Sequence, residues 1–186
     1  MARKNRALPR HLLVLRTSAM GDVAMVAPVL VALRRNYPNL RITVLTPKFL
    51  QPFFREVGNI EFFAPDLKGR HKGVAGLLRL GRDLGRFDLV ADLHDVLRSK
   101  GLCRLMKLRG TRIERIDKGR AEKKMLTAPE NKQRVQLKTT VERYREVFVR
   151  LGFDLPEIPL PSRIRYPMSE AVARLAGAHD GTWIGV

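Results

Sequence analysis

One cysteine, no long apolar run and half as many acids as bases narrow the field before any motif is considered. Cys103 stands alone among 186 residues, so no disulfide can form within the chain and a reducing compartment is the expected setting. The histidines, His11, His71, His94 and His179, are scattered with none of the spacings that hold a metal, so no structural zinc and no other metal site is expected. Basic residues crowd the first sixteen positions, but the apolar run that follows breaks at Arg16 after four residues. That is too short for the apolar region of a signal peptide, and no other stretch approaches a membrane span. A cytoplasmic protein is expected, in at most peripheral contact with a membrane. Nucleotide signatures are missing too. No Gly-x-Gly-x-x-Gly follows the first apolar run and no Gly-Lys-Ser/Thr occurs, which argues against a nicotinamide site and against a P-loop.

The scarcity of acids has the widest consequence. Eighteen Asp and Glu face 36 Lys and Arg, a formal net charge of +18, and such a field calls for a polyanionic partner. Nucleic acid, an anionic membrane surface and a phosphorylated glycolipid all qualify, and composition does not choose among them.

What is present is an alternation of strands and helices. His11–Arg16 is short, Leu/Val-rich and bounded by Pro9 and by Thr17-Ser18, the pattern of a strand buried on both faces of a parallel sheet. Val23, Val26, Ala27, Leu30 and Leu33 then share one helical face closed by Arg34-Arg35, and Pro28 predicts a kink or a fresh start of that helix. Leu40–Thr46, Ile60–Phe63, Phe87–Leu93 and Thr111–Ile116 read as further strands, with Phe62 and Phe63 in the core. Between them, Phe49–Glu56 reads as a short helix and Ala64–Gly73 as an exposed polar loop. The segment through Arg86 reads as a helix weakened by interior glycines such as Gly76 and Gly81, each by roughly 1 kcal/mol relative to Ala. Leu137–Leu151 carries Val141, Tyr144, Phe148 and Leu151 at helical spacing and stops at Gly152, a helix that lays an aromatic stripe into the core. A proline-rich link from Pro156 to Pro167 leads to a helix capped by Ser169 and to a last apolar run, Trp183–Val186. The fold class is α/β, a Rossmann-like parallel sheet with helices on both faces.

Chemistry should gather at the carboxyl ends of the strands, where open α/β sheets keep their ligands. Asp22 follows Gly21 just past the first strand, in the first turn of a helix, and either complements the helix dipole or serves as a functional carboxylate. Asp92, His94 and Asp95 close another strand, as acid–base machinery or as braces of the turn. From Arg98 to Lys124 eleven Lys or Arg outnumber three acids, which makes either a solvated face or a binding surface. Within that run Lys118, Arg120, Lys123 and Lys124 begin at a strand's carboxyl end, on the same edge of the sheet as Asp22.

The loop Thr17-Ser18-Ala19-Met20-Gly21-Asp22, with its apolar helix and Tyr37-Pro38, resembles the opening of the lipopolysaccharide heptosyltransferases, glycosyltransferase family 9, whose first strand runs into a Ser-x-x-Gly-Asp loop. Phe87–Leu93 resembles the family's Phe/Tyr-Asp-Leu-Val-x-Asp-Leu-Gln strand, with His94 in place of Gln and Ser99 on the helix that follows. The resemblance extends over nearly the whole chain. It implies the N-terminal, acceptor-side half of a two-domain GT-B glycosyltransferase, with residues 1–166 as the acceptor domain. Residues 167–186 would be the interdomain helix and the first strand of a truncated donor-binding domain.

The same resemblance implies inverting transfer of heptose or a related sugar, from a nucleotide diphosphate sugar such as ADP-heptose, to the inner core of lipopolysaccharide. No metal or other cofactor would take part, and the setting would be the inner face of the inner membrane. Asp22 would deprotonate the acceptor hydroxyl. Thr17, Ser18, Met20 and Gly21 would line the cleft, Gly21 tolerating no side chain, while Lys118, Arg120, Lys123 and Lys124 would grip the acceptor's carboxylates and phosphates. The chain by itself would neither bind the donor nor transfer sugar. The alternative is a basic α/β domain for nucleic acid. It rests on charge alone, since Arg98–Lys124 has no interleaved aromatics and the chain has no helix-turn-helix or zinc signature.

Overall fold

The computed structural model describes residues 11–129, 134–156 and 169–176. Five strands, β1 (His11–Leu15), β2 (Arg41–Leu45), β3 (Glu61–Phe63), β4 (Leu89–Asp92) and β5 (Arg112–Arg115), pair in parallel throughout, in the order β3-β2-β1-β4-β5. The middle place of β1 explains its continuous apolar run, because Leu12 to Leu15 are covered on both faces. From β1 the chain builds outward through β2 and β3, then returns to β1's other side with β4 and β5. The order therefore reverses between β1 and β4, and their register sets Leu15 against Asp92. That reversal opens a crevice at the strands' carboxyl ends.

Helices cover both faces. Leu12, Val14, Ile42 and Val44 point to one core, shared with Val23, Leu30 and Leu33 and with Tyr144, Phe148 and Leu151. Leu13, Leu15, Leu45 and Val90 point to the other, shared with Leu80, Leu102 and Met106. This is the period-two alternation of strands buried from both sides. The helical run after β1 is split, as Pro28 required, into α1 (Met20–Ala24) and α2 (Ala27–Asn36). Pro28 lies in the first turn of α2, where its missing N–H would have had no partner. A 3₁₀ helix, Lys48–Val57, follows β2. Next come α3 (Gly73–Asp83), α4 (Leu97–Lys107) and α5 (Arg120–Leu126). The helix α6 (Thr140–Leu151) starts at a capping box in which Thr139 Oγ1 accepts from Glu142 N–H at 3.2 Å and Glu142 accepts from Thr139 N–H at 2.6 Å. The last described helix, α7 (Glu170–Ala176), is capped by Ser169, as its sequence indicated. The rest of the proline link, from 157 to 168, and Trp183–Val186 lie outside the described residues.

Two local expectations fail for tertiary reasons. Phe62 is on the short edge strand β3 and stays exposed, lying beside Phe54 rather than within the core. The segment 64–73 is not a freely exposed loop, since His71 is buried. His71 accepts from Asp66 N–H at Nδ1 and pairs through Nε2 with Asp83, each at 3.0 Å. The backbone of His71 presses on α3 so closely that a Cβ on Gly76 would stand 2.3 Å from its carbonyl carbon. The interior glycine that weakens α3 locally is what lets the loop pack. Among the described residues no helix is long and apolar enough to cross a membrane.

Candidate active site

The carboxyl ends of β1 and β4 bring together Arg16, Asp22, Leu93, His94 and, from α6, Tyr144. Arg16 is the first residue past β1 and is buried. Its guanidinium donates to the Leu93 carbonyl at 2.6 Å, pairs with the Asp22 carboxylate and lies 6.0 Å from the centre of the Tyr144 ring. Tyr144 in turn donates its hydroxyl to the Asp22 backbone carbonyl at 3.2 Å, and burial pushes its own pKa up to about 12. The Asp22 loop is thus fastened from two sides. The carboxylate nevertheless keeps 36% of its side chain open to solvent, so it is held in place with an accessible face. A carboxylate so placed can accept a proton from a hydroxyl brought against it.

His94 is half-buried, near enough to Asp92 and Asp22 for both charges to act on it. Burial first, and then the charge of Arg16, hold its imidazole below the ordinary histidine range, against the opposing pull of Asp92 and Asp22. It is therefore neutral near neutral pH. Arg16 Nε and His94 Nδ1 are both buried without a hydrogen-bond partner among the described residues. Polar capacity in this cluster remains for a bound group. Beside it a cavity of ≈ 60 Å³ opens over leucines of β1, β2, α3 and α4, with Arg16, Thr17, His94 and Arg98 at its edge.

Asp92 does something different. It is fully buried and takes N–H bonds from His94 at 3.1 Å and Asp95 at 2.9 Å, the Ser99 hydroxyl at 3.0 Å, and Arg115 Nε at 3.1 Å. Ser99 completes the turn by accepting from Val96 N–H at 3.0 Å. Cys103 lies 3.8 Å from the same carboxylate, and its thiol is pushed up to about 12, chiefly by burial. Asp95 is likewise engaged, by Lys100 at 3.2 Å and Arg115 at 3.4 Å. Of the two readings left open for this turn, the contacts of Asp92 and Asp95 are those of braces.

The remaining candidates separate into near and far. Thr17 edges the cavity, while Ser18, Met20 and Gly21 are exposed around Asp22. Gly21 lies inside α1, and a Cβ there would meet no atom of this chain within 4 Å. The chain itself therefore gives no reason for a glycine, and only a ligand close to the backbone would. Lys118 reaches the turn after β4, donating to the Asp95 carbonyl at 3.1 Å. Desolvation and the neighbouring Arg16 and Arg120 lower its pKa, so several cations already share this corner. Arg120 opens α5, and Lys123 and Lys124 stand exposed in its last turn. That helix is tied to α6 through Glu122 and the buried Arg143, 2.6 Å apart.

Sequence reasoning did not single out Arg16, Arg115 or Tyr144. A lone arginine ending an apolar run marked only the end of a strand, and Tyr144 fitted an apolar stripe. The available signal for Arg16 was an obligate charge placed directly after a doubly buried strand, where burial demands a counter-ion.

Comparison with known proteins agrees on the fold. No protein-family model matches the chain, and no curated protein matches it by sequence. Among solved structures, a glycosyl transferase family 9 protein from Veillonella parvula superposes with a TM-score of 0.57 at 24% identity, over 77% of this chain and 42% of that one. The E. coli heptosyltransferase WaaC, solved with ADP, matches with a TM-score of 0.54 at 21% identity, over 79% of this chain and 48% of WaaC. WaaC with ADP-2-deoxy-2-fluoro heptose gives 0.52 at 19% identity, over 79% and 50%. The fold is the one these glycosyltransferases use for part of their length, and the chain spans half of them or less.

Proposed function

We propose that this chain is the acceptor-side half of an inverting glycosyltransferase in which Asp22 is the general base. The supporting observation is the Asp22 carboxylate itself, fastened by Arg16 beside the reversal of strand order and still open on one side. In the reaction, an acceptor hydroxyl gives its proton to Asp22 as its oxygen attacks the anomeric carbon, and the nucleotide diphosphate leaves with the electron pair of the broken glycosidic bond. Arg16 orients the carboxylate, and Lys118 and Arg120 supply positive charge for an anionic acceptor. The likeness to WaaC with ADP and with ADP-2-deoxy-2-fluoro heptose supports an ADP-linked heptose or related sugar as donor, and the resemblance of the Ser18–Asp22 loop to the lipopolysaccharide heptosyltransferases supports the anionic inner core of lipopolysaccharide as acceptor. A second, nucleotide-binding domain would close over this edge of the sheet, with residues 167–186 leading into it.

The test is turnover by the protein extended through such a donor domain. Asp22→Asn should cost ~10²–10⁴-fold in rate with donor and acceptor affinity nearly unchanged, and near-normal turnover would remove Asp22 from the role. The 186-residue chain alone should show no heat of binding with ADP-heptose in calorimetry. Micromolar affinity there would put the nucleotide site in this half and refute the division between domains.

A further inference from the structure

Helices α3 and α4 lie side by side on one face of the sheet, with Leu77 of α3 packed over Gly101 of α4. Their outer surfaces carry apolar tips among cations. The inward residues of α4 are Ser99, Leu102, Cys103 and Met106. At about 100° per residue, the opposite direction belongs to Leu97, Gly101, Arg104 and Leu108, the residue that follows α4, and of these Gly101 is the one covered by Leu77. Leu97 is 88% exposed and Leu108 85%, although a helix packed by its other face should present polar groups there. On α3, Val74 and Leu78 are exposed as well. Around these tips stand Arg79, Arg82, Arg98, Arg104 and Lys107, all exposed. No acid occurs in α4, and the one acid of α3, Asp83, is engaged by Arg70 and His71.

We propose that the α3–α4 face docks on a bilayer containing anionic phospholipid, with Leu97 and Leu108 entering the headgroup layer and the surrounding cations binding lipid phosphates. Positive charge draws such a face to an anionic leaflet, and apolar tips hold it there. A second copy of the same face is disfavoured, because cations would oppose cations. An acidic protein is a poorer fit: protein interfaces gather apolar residues at a centre depleted of charge, whereas these two leucines are about 16 Å apart with Arg104 between them. Nucleic acid would be met by stacking or amide side chains, and neither helix carries Phe, Tyr, Trp, Asn or Gln. The amino end of α4 also borders the cavity beside Arg16, so docking brings the bilayer surface to the rim of the cleft. In that last respect the inference rests on the reading of a glycolipid acceptor, while docking itself does not require it.

The experiment is co-sedimentation of the 186-residue chain with vesicles of phosphatidylcholine alone and with vesicles that include about a third phosphatidylglycerol, neither holding any glycolipid. Binding is expected only to the anionic vesicles and should fall as salt rises. Arg104→Gln with Lys107→Gln should weaken it about tenfold. Leu97→Ser with Leu108→Ser, at positions too exposed to affect folding, should weaken it about tenfold as well. Equal sedimentation with both vesicle types, none with either, or undiminished binding by the leucine variant would overturn the proposal. So would a single-stranded oligonucleotide that strips the chain from vesicles and binds the leucine variant as tightly as the parent, which would make this face a nucleic-acid surface. Because the vesicles carry no acceptor, failure here leaves the Asp22→Asn experiment untouched.

Discussion

Asp22 and Asp92 stand at the carboxyl ends of adjacent strands, and the chain treats them in opposite ways. Asp92 is sealed, with two backbone N–H groups, a serine hydroxyl and an arginine spending its lone pairs. Asp22 has one guanidinium partner and an open side. A buried carboxylate with every acceptor position filled has little left to offer a substrate, whereas a restrained and accessible one is free to exchange a proton. Two acids that look equivalent by position are distinguished by what surrounds them.

The largest effect that would test this contrast is on folding. Asp92→Ala leaves the His94 and Asp95 N–H groups, Ser99 and Arg115 without their acceptor, in a turn that also positions α4. Removing one partner of a buried pair costs about 3–5 kcal/mol, and the partial exposure of Arg115 points to the lower end. Asp22→Asn should cost about 1 kcal/mol or less, because the replacing amide still accepts from Arg16 and the site is partly solvated. Urea denaturation of the two variants measures the difference. Similar losses in both would mean that Asp22, too, is a structural brace.

The middle of the sheet was legible because β1, β2 and β4 are short, largely apolar runs between turn residues, and the helices because their periodicity survives interruption. Even the break before α2 was written in Pro28. Tertiary closure was not legible. Nothing local distinguishes Asp92 from Asp22, since the filling of Asp92 depends on Arg115 from β5, twenty-three positions away. His71 illustrates the same limit. Its segment reads as polar and exposed, yet its ring is buried because Asp66 and Asp83 satisfy both nitrogens. The role of Tyr144 escaped notice for the converse reason, an aromatic body that belongs to the core and a hydroxyl that belongs to the site.

A smaller effect grades the cations around Asp22. In the protein extended through a donor domain, Lys118→Ala should raise the acceptor KM about tenfold, since Lys118 already reaches the turn that holds His94. Lys123→Ala with Lys124→Ala, in the far turn of α5, should raise it only a few-fold by loss of screened attraction. The donor KM should stay where it was in both. If the outer pair matters more than Lys118, the acceptor approaches over α5 instead of along the crevice. Equal losses for donor and acceptor would take these cations out of acceptor binding altogether.

The smallest expected effect concerns His94, on which both carboxylates act. Burial and Arg16 lower the pKa of His94 in the folded chain from an ordinary value of 6.5, so the unfolded chain takes up that proton first as pH falls. The linkage gives a stability that is full above pH 6.5 and declines as the solution is acidified through the folded value. His94→Gln removes this ionisation while keeping a polar side chain at the turn. Its urea midpoint should therefore drop less than the parent's between pH 7 and pH 5, although part of the decline must remain because His11 is lowered too, again chiefly by burial. An identical drop in parent and variant would show that Asp92 and Asp22 together cancel the burial and the charge of Arg16. His94 would then titrate as an ordinary surface histidine, available to carry a proton in the cleft.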